Sequence, residues 1–247
     1  MNSKIYNGNV QPNPKEFKIW VDDEGTIRTW NGTEWIEAAS GGGSGNGSGE
    51  SNVSKIEFID LGLPSGTLWA KANLGAIHPA QQGLMYAWGE LDGHVSMSEN
   101  KNYTESEYKF YDSESGSYIK YNKSDGITSL LLEDDAAYQY DNTCRTPTVE
   151  QVWELIENTN YEFIYVDSVN CIKLTANNGN YICLPIYSSF SDGSVQGGSY
   201  TSGAYMTTGL SEDIKNTPKM LVLNGRDVYT FESPRYYSMM IRPVKTK

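Results

Sequence analysis

Residues 58–76 read FIDLGLPSGTLWAKANLGA, and residues 83–90 read GLMYAWGE. Short apolar runs alternate there with glycines, which is typical of short strands joined by tight turns. Trp69 and Trp88 are expected to anchor a core, because large aromatic side chains dominate core burial. The glycines expected to make turns or close strand approaches are Gly62, Gly66, Gly75, Gly83 and Gly89.

Strand patterns continue from this stretch to the last residues of the chain. We predict strands over 55–60, 67–72, 84–88, 171–175, 181–186, 204–208, 220–223, 228–231 and 237–244. Helical patterns are rarer. One helix is predicted after an N-cap at Thr148, with Gln151 completing a capping box and Trp153 on the buried stripe. A weaker helix is predicted over 131–140, and the fold class is therefore α+β and β-rich.

The order of these motifs resembles one domain family. The stretch at 58–90 is followed by RTPTVEQVWEL at 145–155, NGNYICLP at 178–185 and RYYSMMIRPV at 235–244. This series is similar to the "major paralogous" domain of surface proteins from gut Bacteroidota, and the similarity covers residues 53–247. It implies a C-type-lectin-like fold, in which the first and last strands pair and long loops form the opposite surface.

Two chemistries known in related folds are not expected. The Glu-Pro-Asn, Gln-Pro-Asp and Trp-Asn-Asp motifs of calcium-dependent lectins are missing from the sequence, as is a paired-cysteine oxidase site. No calcium-binding loop of the D-x-[DN]-x-[DN]-G type is present either. We therefore expect no metal and no cofactor.

A second sequence feature divides the chain. Residues 40–49 read SGGGSGNGSG and contain nothing that could be buried, which is typical of a flexible linker. We predict an amino-terminal module over 1–39, a linker over 40–52 and a carboxyl-terminal domain over 53–247. A linker left by a fusion is the alternative explanation of the glycines and serines.

The predicted amino-terminal module is rich in tryptophan. Runs at 18–22, 26–30 and 33–37 predict a three-stranded meander. So short a module rarely buries a large apolar load alone, so we expect its aromatic surface to be shared with other copies or a partner. A self-contained small sheet is the alternative. The residues predicted to make these contacts are Ile19, Trp20, Trp30 and Trp35.

Charge and cysteine content narrow the classes of function. The net charge of −12 would repel a phosphate backbone, so nucleic acid is not an expected partner. The sequence has no run of about 18 apolar residues and does not begin with a secretory signal, so no membrane insertion is expected. A two-residue turn at 178–179 would place Cys171 opposite Ile186 and Cys183 opposite Leu174. Buried, unbridged thiols are expected.

Catalysis has only weak candidates. Glu133, Asp134 and Asp135 could act as a general acid and base, but consecutive positions on a helix point in different directions, so an exposed first turn is favoured. His78 and His94 lie in loop-like surroundings without a hydrolase, metalloprotease or nucleotide-binding motif. The chain is therefore not expected to be an enzyme.

A possible recognition surface lies between Tyr187 and Tyr237. This stretch combines tyrosine with Gly, Ser, Thr and Asn, as antibody paratopes do. Ordinary polar loops between strands have a similar composition, which is the alternative. The candidate ligand-binding residues are Tyr200, Tyr205, Arg226, Tyr229, Arg235 and Tyr236.

The whole arrangement resembles the head fibres of crAss-like bacteriophages that infect gut Bacteroidota. The resemblance rests on PNPKEFKIWVDDEGTIRTWNGTEWIEAAS at 12–40, the linker and the domain after it. It implies a homotrimer bound to a major or auxiliary capsid protein, located on the capsid surface, made in the host cytoplasm and released by lysis. The carboxyl-terminal domain is expected to bind host-surface or mucosal glycans weakly. The alternatives are a tail-associated receptor-binding protein and a carbohydrate-active or formylglycine-generating-like enzyme.

Overall fold

A computed structural model describes residues 4–7, 17–21, 27–30, 35–37, 56–93, 104–187, 189–191, 194–196, 202–211, 217–224 and 227–247. The chain divides into two compact units, Met1–Val53 and Ser54–Lys247, here called the first and second units. The linker predicted over 40–52 lies outside the described residues.

The first unit contains a four-stranded sheet. Its strands are β1 (Lys4–Asn7), β2 (Phe17–Val21), β3 (Ile27–Trp30) and β4 (Trp35–Glu37), in that spatial order. The β2–β3 and β3–β4 pairs are antiparallel, whereas β1 runs parallel to β2. Strand β1 is not part of the meander pattern in the sequence.

The second unit is β-rich with few helices in its described residues. Its helices are α1 (Ala136–Tyr140) and α2 (Val149–Glu157), with 3-10 turns at Glu105–Glu107 and Leu132–Asp134. Its strands are β5 (Phe58–Asp60), β6 (Thr67–Ala70), β7 (Met85–Tyr86), β8 (Tyr111–Asp112), β9 (Ser117–Tyr118), β10 (Thr159–Val166), β11 (Val169–Ala176), β12 (Tyr181–Pro185), β13 (Ser189–Ser191), β14 (Ser194–Gln196), β15 (Ser202–Leu210), β16 (Pro218–Asn224), β17 (Asp227–Glu232), β18 (Met239–Met240) and β19 (Val244–Thr246).

Three sheets of this unit share one core. Their strand orders are β19-β6-β5, β10-β11-β12 and β17-β16-β15-β18-β7. One apolar cluster joins them to α2 and includes Trp69, Leu155, Ile172, Tyr205 and Leu221. Trp69 and Trp88 are both buried, as the sequence predicts.

The last strand closes the first of these sheets. β19 pairs antiparallel with β6, and β6 pairs with β5. The expectation that the first and last strands pair directly is therefore wrong, because β6 lies between them. An ion pair of 2.6 Å between Lys247 Nζ and Asp60 Oδ2 still ties the carboxyl-terminal residue to β5.

Helix α2 begins where its capping box predicts. The Thr148 side chain accepts a hydrogen bond from Gln151 N, and the Gln151 side chain accepts one from Thr148 N. The buried face is formed by Val152 and Leu155, whereas Trp153 is 42% exposed. The prediction that Trp153 anchors the core is wrong, because this position lies about 100° around the helix from Val152.

The β11–β12 hairpin differs from the prediction by one residue in register. Cys171 is opposite Pro185, and Cys183 is opposite Lys173. The turn contains three residues rather than two, because Ala176 N donates to Asn180 O and Gly179 adopts a φ of +84°. This register places Cys171 and Cys183 on the same face of the sheet, where both are buried.

Candidate functional site

The first-unit candidates lie in three neighbouring strands. Ile19 and Trp20 are in β2, Trp30 is in β3 and Trp35 is in β4. Trp30 and Trp35 are direct partners in the β3–β4 register, so the fold brings these two positions together. Trp35 is half-buried, and the other three side chains lie outside the described residues. The contact role of the four residues stays a prediction.

Those second-unit candidates that the structure describes do not form one surface. Tyr200 and Arg226 lie outside the described residues. Tyr236 is partly buried in a turn and packs edge-on against Tyr237, with 5.1 Å between ring centroids. Tyr205 is 2% exposed and Arg235 is 1% exposed. Neither side chain reaches the surface, so the structure does not place Tyr205 and Arg235 on an exposed ligand-binding surface.

Tyr205 is a structural tyrosine of strand β15. Its hydroxyl donates to Pro185 O over 2.8 Å and lies 3.5 Å from Asn73 Nδ2. Burial raises the pKa of Tyr205. The side chain therefore connects β15 to the end of β12 within the core.

Arg235 is a structural arginine that holds the loop before Asn122. Its guanidinium donates to Lys120 O over 3.1 Å and to Tyr121 O. The same group stacks on Tyr118, 4.1 Å from the ring centroid. Burial lowers the pKa of Arg235. The Arg235 guanidinium, which we predicted to bind a ligand, is therefore engaged in contacts within the domain.

The exposed candidate that remains is Tyr229 on strand β17. Tyr229 is 36% exposed, and Phe231, two residues along the same strand, is 59% exposed. Val228, next to Tyr229 in the strand, packs on the core, so Tyr229 and Phe231 share the outer side of the strand. Their direct partners on β16 are Val222 and Met220. We call these four residues the β16–β17 face.

Phe231 was missing from the candidates chosen on the sequence. The signal that identifies it is the alternation VYTF at 228–231, which places Tyr229 and Phe231 on one face. A similar row of exposed aromatic residues lies on β10 at Tyr161, Phe163 and Tyr165. This strand is not among those that the sequence pattern predicts.

The acidic cluster at 133–135 is structural rather than an exposed first turn. Asp134 and Asp135 are buried, which contradicts the prediction. Burial alone would raise the pKa of Asp134, but hydrogen bonds from Lys120, Tyr121 and Lys109 outweigh it, and the pKa lies below the usual value. These hydrogen bonds hold the Asp134 carboxylate in place within the fold. A catalytic acid needs a carboxyl group that can contact the substrate.

Asp135 is the N-cap of α1 and also binds the segment before α2. Its carboxylate accepts hydrogen bonds from Ala137 N, Tyr138 N and Thr146 N, from Thr146 Oγ1 and from Arg145 Nε. These donors fill the hydrogen-bonding capacity of the two carboxylate oxygens. The carboxylate joins α1 to residues 145–146.

The histidines and cysteines, which are the other candidates for a nucleophile or a metal ligand, do not form a site among the described residues. His78 lies in a turn that Gln81 closes, and His94 is outside the described residues. Burial raises the pKa of Cys144 to about 12 and that of Cys171 to about 11, so both are thiols at neutral pH. No group of three His, Cys, Asp or Glu side chains suited to a metal ion occurs among the described residues.

Comparisons of the chain with protein-family models, curated proteins and solved structures find no match. In the part of the chain that the structure describes, no helix combines the length and hydropathy of a membrane-spanning segment. The exposed β16–β17 face is the candidate site on which the functional proposal below depends.

Proposed function

We propose that this chain is a non-enzymatic virion protein, a trimeric head fibre that binds the capsid through its first unit. Its second unit, a C-type-lectin-like domain, presents the β16–β17 face to host-surface or mucosal glycans. The observation that carries the proposal is the division into two compact units at Val53, directly after the Gly/Ser stretch. Such a linker lets one unit stay attached while the other samples a surface.

The β16–β17 face supports weak adhesion. Aromatic side chains give large, rigid contact areas at a small cost in conformational entropy. Phe231 and Tyr229 are exposed at the edge of a sheet, because among the described strands β17 pairs with β16 alone. Two exposed aromatic side chains give modest affinity for one fibre. Several fibres on one particle raise the total attachment through avidity.

The acidic cluster argues against the enzyme alternative that uses it. Asp134 and Asp135 are committed to structural hydrogen bonds, so the carboxylates considered for acid–base chemistry serve the fold. The tail-associated alternative differs from our proposal only in the place of attachment. Imaging of the particle separates the two, since fibres seen only at the tail contradict the head assignment.

Replacing Trp35 by alanine is expected to remove the protein from the virion, because the variant loses aromatic area that a small unit shares with copies or capsid. We expect at least a tenfold loss of incorporation, measured by quantifying the chain in purified particles. Trp153→Ala is the matched control, since that tryptophan is 42% exposed in the second unit. Normal incorporation of Trp35→Ala and of Trp20→Ala would refute capsid attachment through these residues.

Replacing Phe231 by serine is expected to weaken glycan adhesion at least tenfold without unfolding the domain. The side chain is 59% exposed, so its truncation costs little stability. Binding is measured with multivalent protein on a glycan array, and stability by chemical denaturation. Phe163→Ser is the control, because it removes the same type of side chain, here 41% exposed, from β10. Adhesion unchanged in Phe231→Ser and Tyr229→Ser would refute the β16–β17 face, and steady glycan consumption would favour the enzyme.

A further inference from the structure

A cavity of about 630 Å³ is lined in part by the face of the β10–β11–β12 sheet that carries Ile164, Lys173 and Cys183. Strand register fixes this side, since Ile164 is opposite Cys171 and Lys173 is opposite Cys183. Ala80, Cys171 and Cys183 form a separate buried cluster there, against which Ile164 packs. The cavity therefore has one wall of regular strands, and residues 79 and 80 contribute to the rest of its lining.

We propose that this cavity is a binding site for a small uncharged molecule with an apolar body and one hydroxyl group. The proposal does not depend on the glycan-binding function. The strands that line the cavity belong to a different sheet from the β16–β17 face.

The size and lining of the cavity fit such a ligand. Cavities that bind small molecules in proteins are about 300–1,000 Å³ and are mostly apolar, with a few polar groups that fix orientation. Most residues that line this one are apolar, and they include Ile59, Ile164, Val166, Ile182 and Cys183. A ligand that covers these side chains removes apolar surface from water, which is the main source of affinity in such sites.

The charges around the cavity select against an anion. The two lysines in the lining are already paired, Lys71 with Glu57 over 2.7 Å and Lys173 with Glu162 over 2.8 Å. Asp167 adds a negative charge to the same lining, but its side chain is exposed to water and so attracts a cation only weakly. An acidic ligand would therefore meet no excess of positive charge and would lose its hydration on binding.

One polar group in the lining can orient the ligand. Asn180 donates its side-chain amide to Asp60 O over 2.8 Å. Asn180 is exposed at the opening, and its Oδ1 accepts no hydrogen bond from the described residues, so a ligand hydroxyl can replace water there. Tyr181 is 52% exposed at the same site and adds aromatic area at the opening.

The test uses the full chain with ¹³C-labelled isoleucine methyl groups and three probes that share an indole ring. Tryptophol is neutral and carries a hydroxyl, indole-3-acetate is an anion and tryptamine is a cation. We expect tryptophol to give saturable shifts at Ile59 and Ile164, with smaller shifts at Ile172, which belongs to the main core and does not line the cavity. We expect indole-3-acetate to bind about tenfold more weakly, since an anion is costly to desolvate without a partner, and 3-ethylindole, without the hydroxyl, to bind more weakly than tryptophol.

Two variants of β10 complete the test. Val166→Trp fills the cavity and should abolish the tryptophol shifts, whereas Tyr165→Trp changes the opposite face of the same strand and should leave them unchanged. Unchanged Ile172 signals show that each variant is folded. The proposal is overturned by tryptophol shifts that do not saturate, by tightest binding of either charged probe, or by unchanged binding in folded Val166→Trp.

Discussion

Replacing Asp135 by alanine is expected to lower the free energy of unfolding by about 3–5 kcal/mol. The carboxylate is completely buried and caps α1 through Ala137 N and Tyr138 N. It also accepts from Thr146 N and Thr146 Oγ1, the latter over 2.7 Å. Loss of the cap alone costs about 1 kcal/mol, and the donors of Thr146 are then left buried without a partner, which adds the larger part.

Urea denaturation followed by circular dichroism measures this change. Glu133→Ala is the matched control, because that carboxylate is two residues away and its side chain is 69% exposed. The control is expected to change the free energy of unfolding by less than about 1 kcal/mol, as is usual for exposed ion pairs. Equal effects of the two substitutions would show that Asp135 does not hold α1 to residues 145–146.

Asp135 also shows a feature that the sequence alone did not predict, namely which acidic side chain is buried. The triplet EDD at 133–135 predicts a helix start, and the structure has a 3-10 turn and then α1 at this place. Which acid is buried depends on partners at 109, 120, 145 and 146, which are distant along the chain. Local propensity cannot supply those contacts, so the sequence indicated the element but not the environment of its carboxylates.

The β11–β12 hairpin shows the same limit in a strand pair. The pattern predicted both strands and the turn at Asn178 and Gly179, and both strands are present. Register depends on whether the turn has two or three residues, and both kinds accept Asn-Gly. The three-residue turn moves Cys183 to the face of Cys171 and so creates the wall of the cavity. The candidate cavity could not be found without that register.

Composition was a poor guide to the recognition surface. Tyrosine and arginine within 187–237 suggested ligand contacts, but Tyr205 and Arg235 are buried, and Tyr229 is exposed. Alternation within one strand performs better than composition, since it pairs Tyr229 with Phe231 on the outer side of β17. Burial of Tyr205 depends instead on the neighbours that β15 gains from β16 and β18.

Arg235→Ala is expected to lower the free energy of unfolding by about 3–5 kcal/mol, as truncation of a large buried side chain does. The substitution leaves Lys120 O and Tyr121 O without their donor and removes the cation from the ring of Tyr118. Arg235→Met keeps most of the volume but not the hydrogen bonds. It is expected to lose about 2–3 kcal/mol, because buried carbonyl groups remain unpaired.

Comparing Arg235→Ala with Phe231→Ser separates a structural role from a binding role at two positions that are four residues apart. Phe231→Ser should keep stability and lose adhesion, whereas Arg235→Ala should lose stability first, with adhesion failing only as the unfolded fraction rises. Thermal unfolding and glycan-array binding are measured on both variants at a temperature where Arg235→Ala is still mostly folded. If folded Arg235→Ala bound glycan at least tenfold more weakly at unchanged stability, the arginine would act at the ligand, and the buried arrangement described above would be wrong.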